Sequence, residues 1–311
     1  MVTSIVSPTS AVRQTPYITP DMFRVHARAG VQVENLVVKG QPADQEAALL
    51  NYIRSASSWM DEHAEQIFAA TQDTVVQQVN VDSNGFVEIH PRYVPVIGLT
   101  AFAIGSLPSN MASVSSLSGA VVTQDGIHVP VYPLAALTSS EGPIQFGGVN
   151  SPWDQAWCQY TYVNGYPVTT LTADVAASAT SIPVLDTTGI VQGKTWLTMY
   201  SGKTQYRFLA GAVSTADAGG LGTGPGTVGC AAVPAAINNP GIPVMVSALP
   251  DSLIEACVLV TRALIKQKGG GAVAASSATS REPKKGRNNA GDDFAEAWDI
   301  IQRAMQVAVT T

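Results

Sequence analysis

The chain has 311 residues, of which 46% are apolar and only 13% charged, about half the charged share of an ordinary soluble domain. That length predicts two domains, or one with a large insert, and the apolar share is ample for a core. A formal net charge of −6 excludes condensation of the whole molecule onto nucleic acid by phosphate neutralisation. Cys158, Cys230 and Cys257 are widely spaced and form no C-x-x-C pair, which points away from a zinc site or a disulfide framework. With so few charges the surface must be largely Ser, Thr, Gly, Asn and Gln. Both a protein packed into an assembly and a β-rich protein with a bland polar surface fit that composition.

Residues 1–18 are rich in Ser, Thr and Pro and are expected to form an extended arm. They lack a basic start followed by seven or more apolar residues, so no cleaved leader is expected. Thr19-Pro20-Asp21 opens a short helix through His26, ended by Gly30 and the alternation of Val31, Val33 and Leu36. Asp44 is the predicted N-cap of a helix over Gln45–Ala70, where Leu49, Ile53, Ala56, Met60, Ala64, Ile67 and Phe68 recur at three- and four-residue steps.

From Thr74 the period changes to two. Val75, Gln77, Val79 and Val81 alternate into the turn Asp82-Ser83-Asn84-Gly85, and Phe86–Ile89 returns as the second arm of a predicted hairpin. Val96–Ile104 is a further strand, followed by short strands at 120–123, 127–132 and 157–163 separated by long Ser/Gly/Pro-rich loops. Residues 168–247 carry little charge and hold Thr/Val/Ala-rich strands at 169–173, 181–185, 196–200, 205–209 and 243–246, with Gly-Lys turns at 193 and 202. This stretch reads as a compact all-β module inserted ahead of the next helix.

Pro250 and Asp251 start that helix and Gly269–Gly271 stop it, giving about eighteen helical residues. Leu253, Ile254, Ala256, Cys257, Val258, Leu259, Val260, Ala263, Leu264 and Ile265 cover nearly its whole circumference, so it is expected to be buried on most sides, in a domain core or a subunit interface. Glu255, Thr261 and Arg262 interrupt it, and it is too short and too polar to cross a bilayer. Residues 272–291 read as a flexible basic linker. Its Arg281, Lys284, Lys285 and Arg287 are candidates for contact with phosphates or an acidic protein surface, with a solvated linker as the alternative. The helix of residues 292–311 carries an apolar stripe through Phe294, Ala297, Trp298, Ile301, Ala304, Met305 and Ala308, behind an acidic first turn. On such a leash the stripe could pack on its own subunit or dock on a partner.

The motifs of catalysis and cofactor binding fail on inspection. Gly224-Pro225-Gly226-Thr227-Val228-Gly229 satisfies G-x-G-x-x-G, but Pro234 follows and no helix is available to receive a pyrophosphate, so a flexible loop is expected. Gly189–Thr195 has three residues between its glycines where a phosphate loop needs four. His26, His63, His90 and His128 are scattered, and His63 and Glu65, two apart on a helix, point to different faces. There is no G-x-S-x-G, no H-E-x-x-H and no calcium loop. No catalytic residue, metal or cofactor is expected, and enzymatic activity is not.

Five stretches together resemble the head-to-tail connector, or adaptor, proteins of long-tailed bacteriophages: YITPDMFRVHARAGVQVENL at 17–36, AALLNYIRSASSWMDEHAEQIFAATQDT at 47–74, DSNGFVEIHPRYVPVIGLTAFAIG at 82–105, YTYVNGYP at 160–167 and LPDSLIEACVLVTRALIKQKGGG at 249–271. They total 103 residues, about a third of the chain, in the order helix, hairpin, "PVI" strand, "GYP" strand, "LP" helix. The resemblance implies an α+β fold, a helical bundle beside a small antiparallel β-sheet, with residues 19–167 and 248–271 forming the connector core. Residues 168–247 depart from the family pattern and would be an inserted all-β domain.

It further implies a dodecameric ring beneath the portal, placed in the capsid–tail neck of a virion and assembled in the host cytoplasm. Such a ring extends the DNA channel without reading sequence and carries a stopper or tail-completion protein. No membrane is involved. In that frame Leu49, Ile53, Met60, Ile67, Leu253, Cys257, Val260 and Leu264 are candidates for the ring interface or the core, and Phe294, Trp298, Ile301 and Met305 for docking on the portal. The competing expectation is a carbohydrate-binding or adhesion module of a virion or cell surface, with Trp153, Trp157 or Trp196 as sugar platforms.

Overall fold

The structure, a computed structural model, describes residues 3–5, 15–131, 138–139, 142–143, 155–238, 244–267 and 290–310, apart from single or paired loop positions. In chain order the elements are β1 (Thr3–Ile5), α1 (Pro20–Val25), α2 (Pro42–Ala64), β2 (Thr71–Asn80), β3 (Phe86–Ile89), β4 (Val96–Leu107), β5 (Asn110–Ser113), β6 (Val121–Val122), β7 (Ile127–Pro130), β8 (Thr138–Ser139), β9 (Gly142–Pro143) and β10 (Gln155–Asn164). There follow β11 (Val168–Thr170), β12 (Ser181–Val184), β13 (Trp196–Ser201), β14 (Thr204–Leu209), β15 (Gly226–Gly229), β16 (Met245–Ser247), α3 (Asp251–Gln267) and α4 (Ala290–Thr310).

The expected helical bundle with a small sheet is therefore overturned, because the described residues are mostly β. Their sixteen strands form sheets of five, four, three, two and two strands, against four helices. The largest sheet, in the order β1-β2-β10-β4-β5, is built on β10, which pairs antiparallel with β2 along its whole length from Gln155↔Asn80 to Asn164↔Thr71 and with β4 on its other side. Those ladders join residues between 52 (Trp157↔Gly105) and 93 (Asn164↔Thr71) positions apart in sequence. Nothing local announces them, whereas α2 and α4 are announced by their period and α1 and α3 by their start signals.

The expected hairpin is corrected in the same way. The turn forms, with Phe86 N donating to Asp82 Oδ1 at 2.7 Å and Gly85 N to Asp82 O at 3.0 Å, and Val81 bridges Val87. Beyond it β3 leaves β2 and pairs with β7 in the three-stranded sheet β3-β7-β6. The turn is a corner between two sheets. Their facing sides bury Val75, Val79, Phe102, Ile104, Cys158 and Tyr160 against Val87, Ile89, Ile127 and Val129 as a single apolar layer.

The helices form a second core. Thr19 caps α1, accepting from Met22 N at 3.2 Å with Pro20 in the first turn. In α2 the expected cap at Asp44 is displaced. Pro42 occupies the first turn and the Asp44 carboxylate reaches back to accept from Gln41 N at 2.8 Å. The same helix ends at Ala64 rather than Ala70, with Glu65 left-handed at φ +52°. A buried hydroxyl explains the early stop: Tyr17 donates to Asp61 and accepts from Phe68 N at 3.0 Å and Ala69 N at 3.3 Å, which holds the chain off the helical path. Leu49, Ile53, Ala56 and Met60 of α2 then close over Tyr17, Ile18 and Phe23 on one side and Leu253, Cys257 and Val260 of α3 on the other.

Between β11 and α3 lie a four-stranded sheet, β11-β16-β13-β14, and the pair β12-β15. Their apolar cluster runs from Leu171 to Val246 and includes Ile182, Ile190, Leu197, Phe208 and Val228. The Gly-rich stretch read as a flexible loop is in part strand β15, paired with β12 from Ser181↔Gly229 to Val184↔Gly226. Tyr200 and Met245 turn away from that cluster and belong to the helical core.

Candidate functional site

The most elaborate cluster of charged and aromatic side chains in the described residues is the seat of α4 on α3 and α2. Asp293, in the first turn of α4, is only 2% exposed, while Arg262 and Lys266 of α3 are 18% and 16% exposed. Arg262 grips the carboxylate with two donors, Nε to Oδ2 at 3.0 Å and a second nitrogen to Oδ1, and Lys266 Nζ adds a bond to Oδ2 at 2.9 Å. The other guanidinium nitrogen of Arg262 donates to Arg28 O at 2.6 Å. Arg28 in turn pairs with Glu255 of α3 and Glu296 of α4. One carboxylate at a helix N-terminus thus carries two cations, and a third cation ties the α1 loop to both helices.

Beside this clamp lies an aromatic row. His63 stacks on Trp59 with centroids 3.9 Å apart and bonds Trp59 O through Nδ1 at 2.9 Å; Phe294 meets Trp59 at 5.2 Å and Trp298 meets His63 edge-on at 6.3 Å. Ile301 and Ala297 are fully buried in the helical core, and Phe294, Trp298 and Met305 pack against it. The stripe singled out for portal docking is therefore engaged within its own chain. Leu49, Ile53, Met60, Leu253, Cys257 and Val260 are likewise fully buried, with Ile67 and Leu264 packed against them, so all eight core-or-interface candidates lie in the helical core. Arg281, Lys284, Lys285 and Arg287 lie outside the described residues.

Sequence reasoning missed the clamp. The signal was there: Arg262 and Lys266, four apart on an otherwise apolar helix, and Asp292-Asp293 opening the next one. On the sequence Arg262 reads as an interruption of an apolar helix and Asp293 as part of an acidic first turn, and neither names the other as its partner.

Burial pushes the thiols of Cys158 and Cys257 up to about 12 and raises that of Cys230, so all three stay protonated at neutral pH. Among the described residues no three His, Cys, Asp or Glu side chains are grouped to hold a metal ion, and no helix is long and apolar enough to cross a membrane. A cleft of about 900 Å³ opens between α1, the 29–40 loop and the start of α2, lined by Phe23, Arg24, Val31, Glu34 and Glu46 among others. Its Arg24 is already paired with Glu46. Trp196 is 53% exposed with the Arg207 guanidinium 5.4 Å over its ring, Trp157 is half-buried, and Trp153 lies outside the described residues.

No family model and no curated protein matches this chain. Among solved structures, a chain from the neck of an empty GTA particle, computed with C6 symmetry, is similar at 12% identity over 53% of this chain and 71% of that one, with a TM-score of 0.26. At that score the likeness carries no argument about fold or role.

Proposed function

We propose that the chain is a structural protein of a phage-type neck, whose copies form a ring that joins head to tail around the DNA channel. The observation that carries the reading is where the family-like stretches lie. The described residues of the stretches at 17–36, 47–74 and 249–271 meet in one apolar core, and those at 82–105 and 160–167 meet as β4 and β10, paired from Tyr160↔Phe102 to Asn164↔Val96. The intervening residues 168–247 supply a cluster of their own. That supports a shared core with an added module, whose place would be on the outside of the ring or against the tail.

Identical copies in a ring reuse one heterologous interface, and a net charge of −6 gives a channel that does not grip passing DNA. The role is one of assembly, with no turnover. Portal and stopper or tail-completion proteins are the partners it calls for. The Phe294/Trp298/Ile301/Met305 stripe is not assigned to the portal, since it would first have to leave its seat. A glycan-binding role has only the exposure of Trp196 in its favour, and Arg207 already covers one face of that ring.

Negative-stain microscopy with mass determination on the purified chain, alone and mixed with a portal, tests the proposal. Rings, or rings that appear once the portal is added, are the expected result. A monomer indifferent to portals would refute it.

A further inference from the structure

Lys266, in the last turn of α3, touches Asp293, in the first turn of α4, so the two facing helix ends are adjacent. An antiparallel helix pair needs about 2 to 5 residues to turn there. This chain connects Gln267 to Ala290 with 22 residues, enough to span roughly 70 Å when extended. The excess length is not needed to seat α4 on its own α3.

The seat is also selective by charge. It offers Arg28, Arg262 and Lys266, and the helix that fills it presents Asp292, Asp293, Glu296 and Asp299 before its first cation, Arg303. The apolar row of Phe294, Ala297, Trp298 and Ile301 sets the register. Every copy carries the same seat and the same helix, and the contacts made across two copies would be those made within one. Loop-closure cost rises only slowly with tether length, and a neighbour held in a ring presents its seat at high effective concentration.

We propose that in the assembled protein α4 of each copy occupies the seat on α3 and α2 of a neighbouring copy. The inference rests on the ring reading for the presence of that neighbour. Packing α4 at home adds nothing to the ring; exchanging it adds the clamp and the aromatic row to every subunit boundary.

Deleting residues 270–287 leaves a connection of four residues, which seats α4 at home and cannot reach a neighbour. A second variant replaces the same residues with an equal length of Gly and Ser, removing Arg281, Lys284, Lys285 and Arg287 while keeping the reach. Mass determination is run on both and on the full chain, with circular dichroism to establish that each folds. The expected result is assembly of the full chain and of the Gly/Ser variant, with a folded monomer for the deletion. Assembly of the deletion variant at the wild-type size would overturn the exchange and leave the ring reading standing. Failure of the Gly/Ser variant to assemble would also overturn it, in favour of the basic cluster. A full chain that stops at dimers, which the deletion reduces to monomers, would support exchange while refuting the ring. A full chain that is monomeric with and without portal would refute both.

Discussion

Replacing Asp293 with Asn isolates the charge of the clamp while keeping the shape of the side chain. Breaking a fully buried ion pair costs about 3–5 kcal/mol. Here Arg262 and Lys266 keep 18% and 16% of their exposure and water recovers part of their solvation, while the Asn carbonyl still accepts from one of them. A loss of about 2 kcal/mol is the reasoned figure. Because Asp293 holds one helix and not the sheets, the loss should appear as local opening of α4 rather than as global unfolding. Amide hydrogen exchange followed by mass spectrometry reads it directly: α4 peptides should exchange about thirtyfold faster, with α3 and β10 peptides unchanged. Unaltered α4 exchange would mean that the apolar stripe alone seats the helix. Equal acceleration in α3 would mean that the two helices open as one unit, and either result refutes the reasoning.

The Tyr17 hydroxyl serves Asp61, Phe68 N and Ala69 N together, so Tyr17→Phe should cost about 2–3 kcal/mol in denaturant unfolding, far more than Tyr→Phe at an exposed site. Burial raises the folded thiols of Cys158 and Cys257 from 9.0 to about 12; their contribution is complete below pH 9 and lost as pH climbs from 9 to 12, so unfolding midpoints should fall across that window. Replacing both with Ala should flatten the fall. Gly165 sits at φ +87°, where an added Cβ would lie 2.7 Å from Ala69 O, while Gly193 at φ +71° has nothing within 4 Å; Gly165→Ala should destabilise by more than 2 kcal/mol and Gly193→Ala by about 1 kcal/mol, read by thermal melting. An isolated fragment of residues 168–248 should give dispersed amide resonances, because Val168↔Ser247 pairing already joins its two ends; a collapsed spectrum would mean that Tyr200 and Met245 need the helical core.

What could be read ahead of the structure was whatever a residue does to its immediate neighbours. Thr19-Pro20 opened a helix, Pro250-Asp251 opened another, the four-residue beat of Leu49, Ile53 and Met60 marked the face of a third, and Asp82–Gly85 made a turn. Period and cap chemistry are local and serve at those positions; at α2 the cap lies at Gln41 rather than Asp44 and the helix stops at Ala64. Pairing is not local: nothing in Val75 or Val79 says that Tyr160 and Ala156 lie beside them, and so a large sheet was taken for a small one. The early end of α2 depended on a tyrosine some fifty residues upstream. The α4 stripe was legible as apolar, but what it covers was set by Trp59, His63 and the α3 cations, which its own sequence does not name.

The way β16 leads into α3 has a mechanical consequence. β16 lies between β11 and β13, and only Ala248, Leu249 and Pro250 separate it from α3. Those three residues leave no slack: Ala248 N is bonded to Pro167 O at 2.8 Å and Leu249 N to Ser247 Oγ at 2.9 Å, and Leu249 is itself buried in the helical core. A pull on the sheet β11-β16-β13-β14 is therefore delivered along a taut strut to α3, the most buried helix among the described residues. Whatever grips residues 168–247 in service would load the centre of the protein first, and its periphery only afterwards.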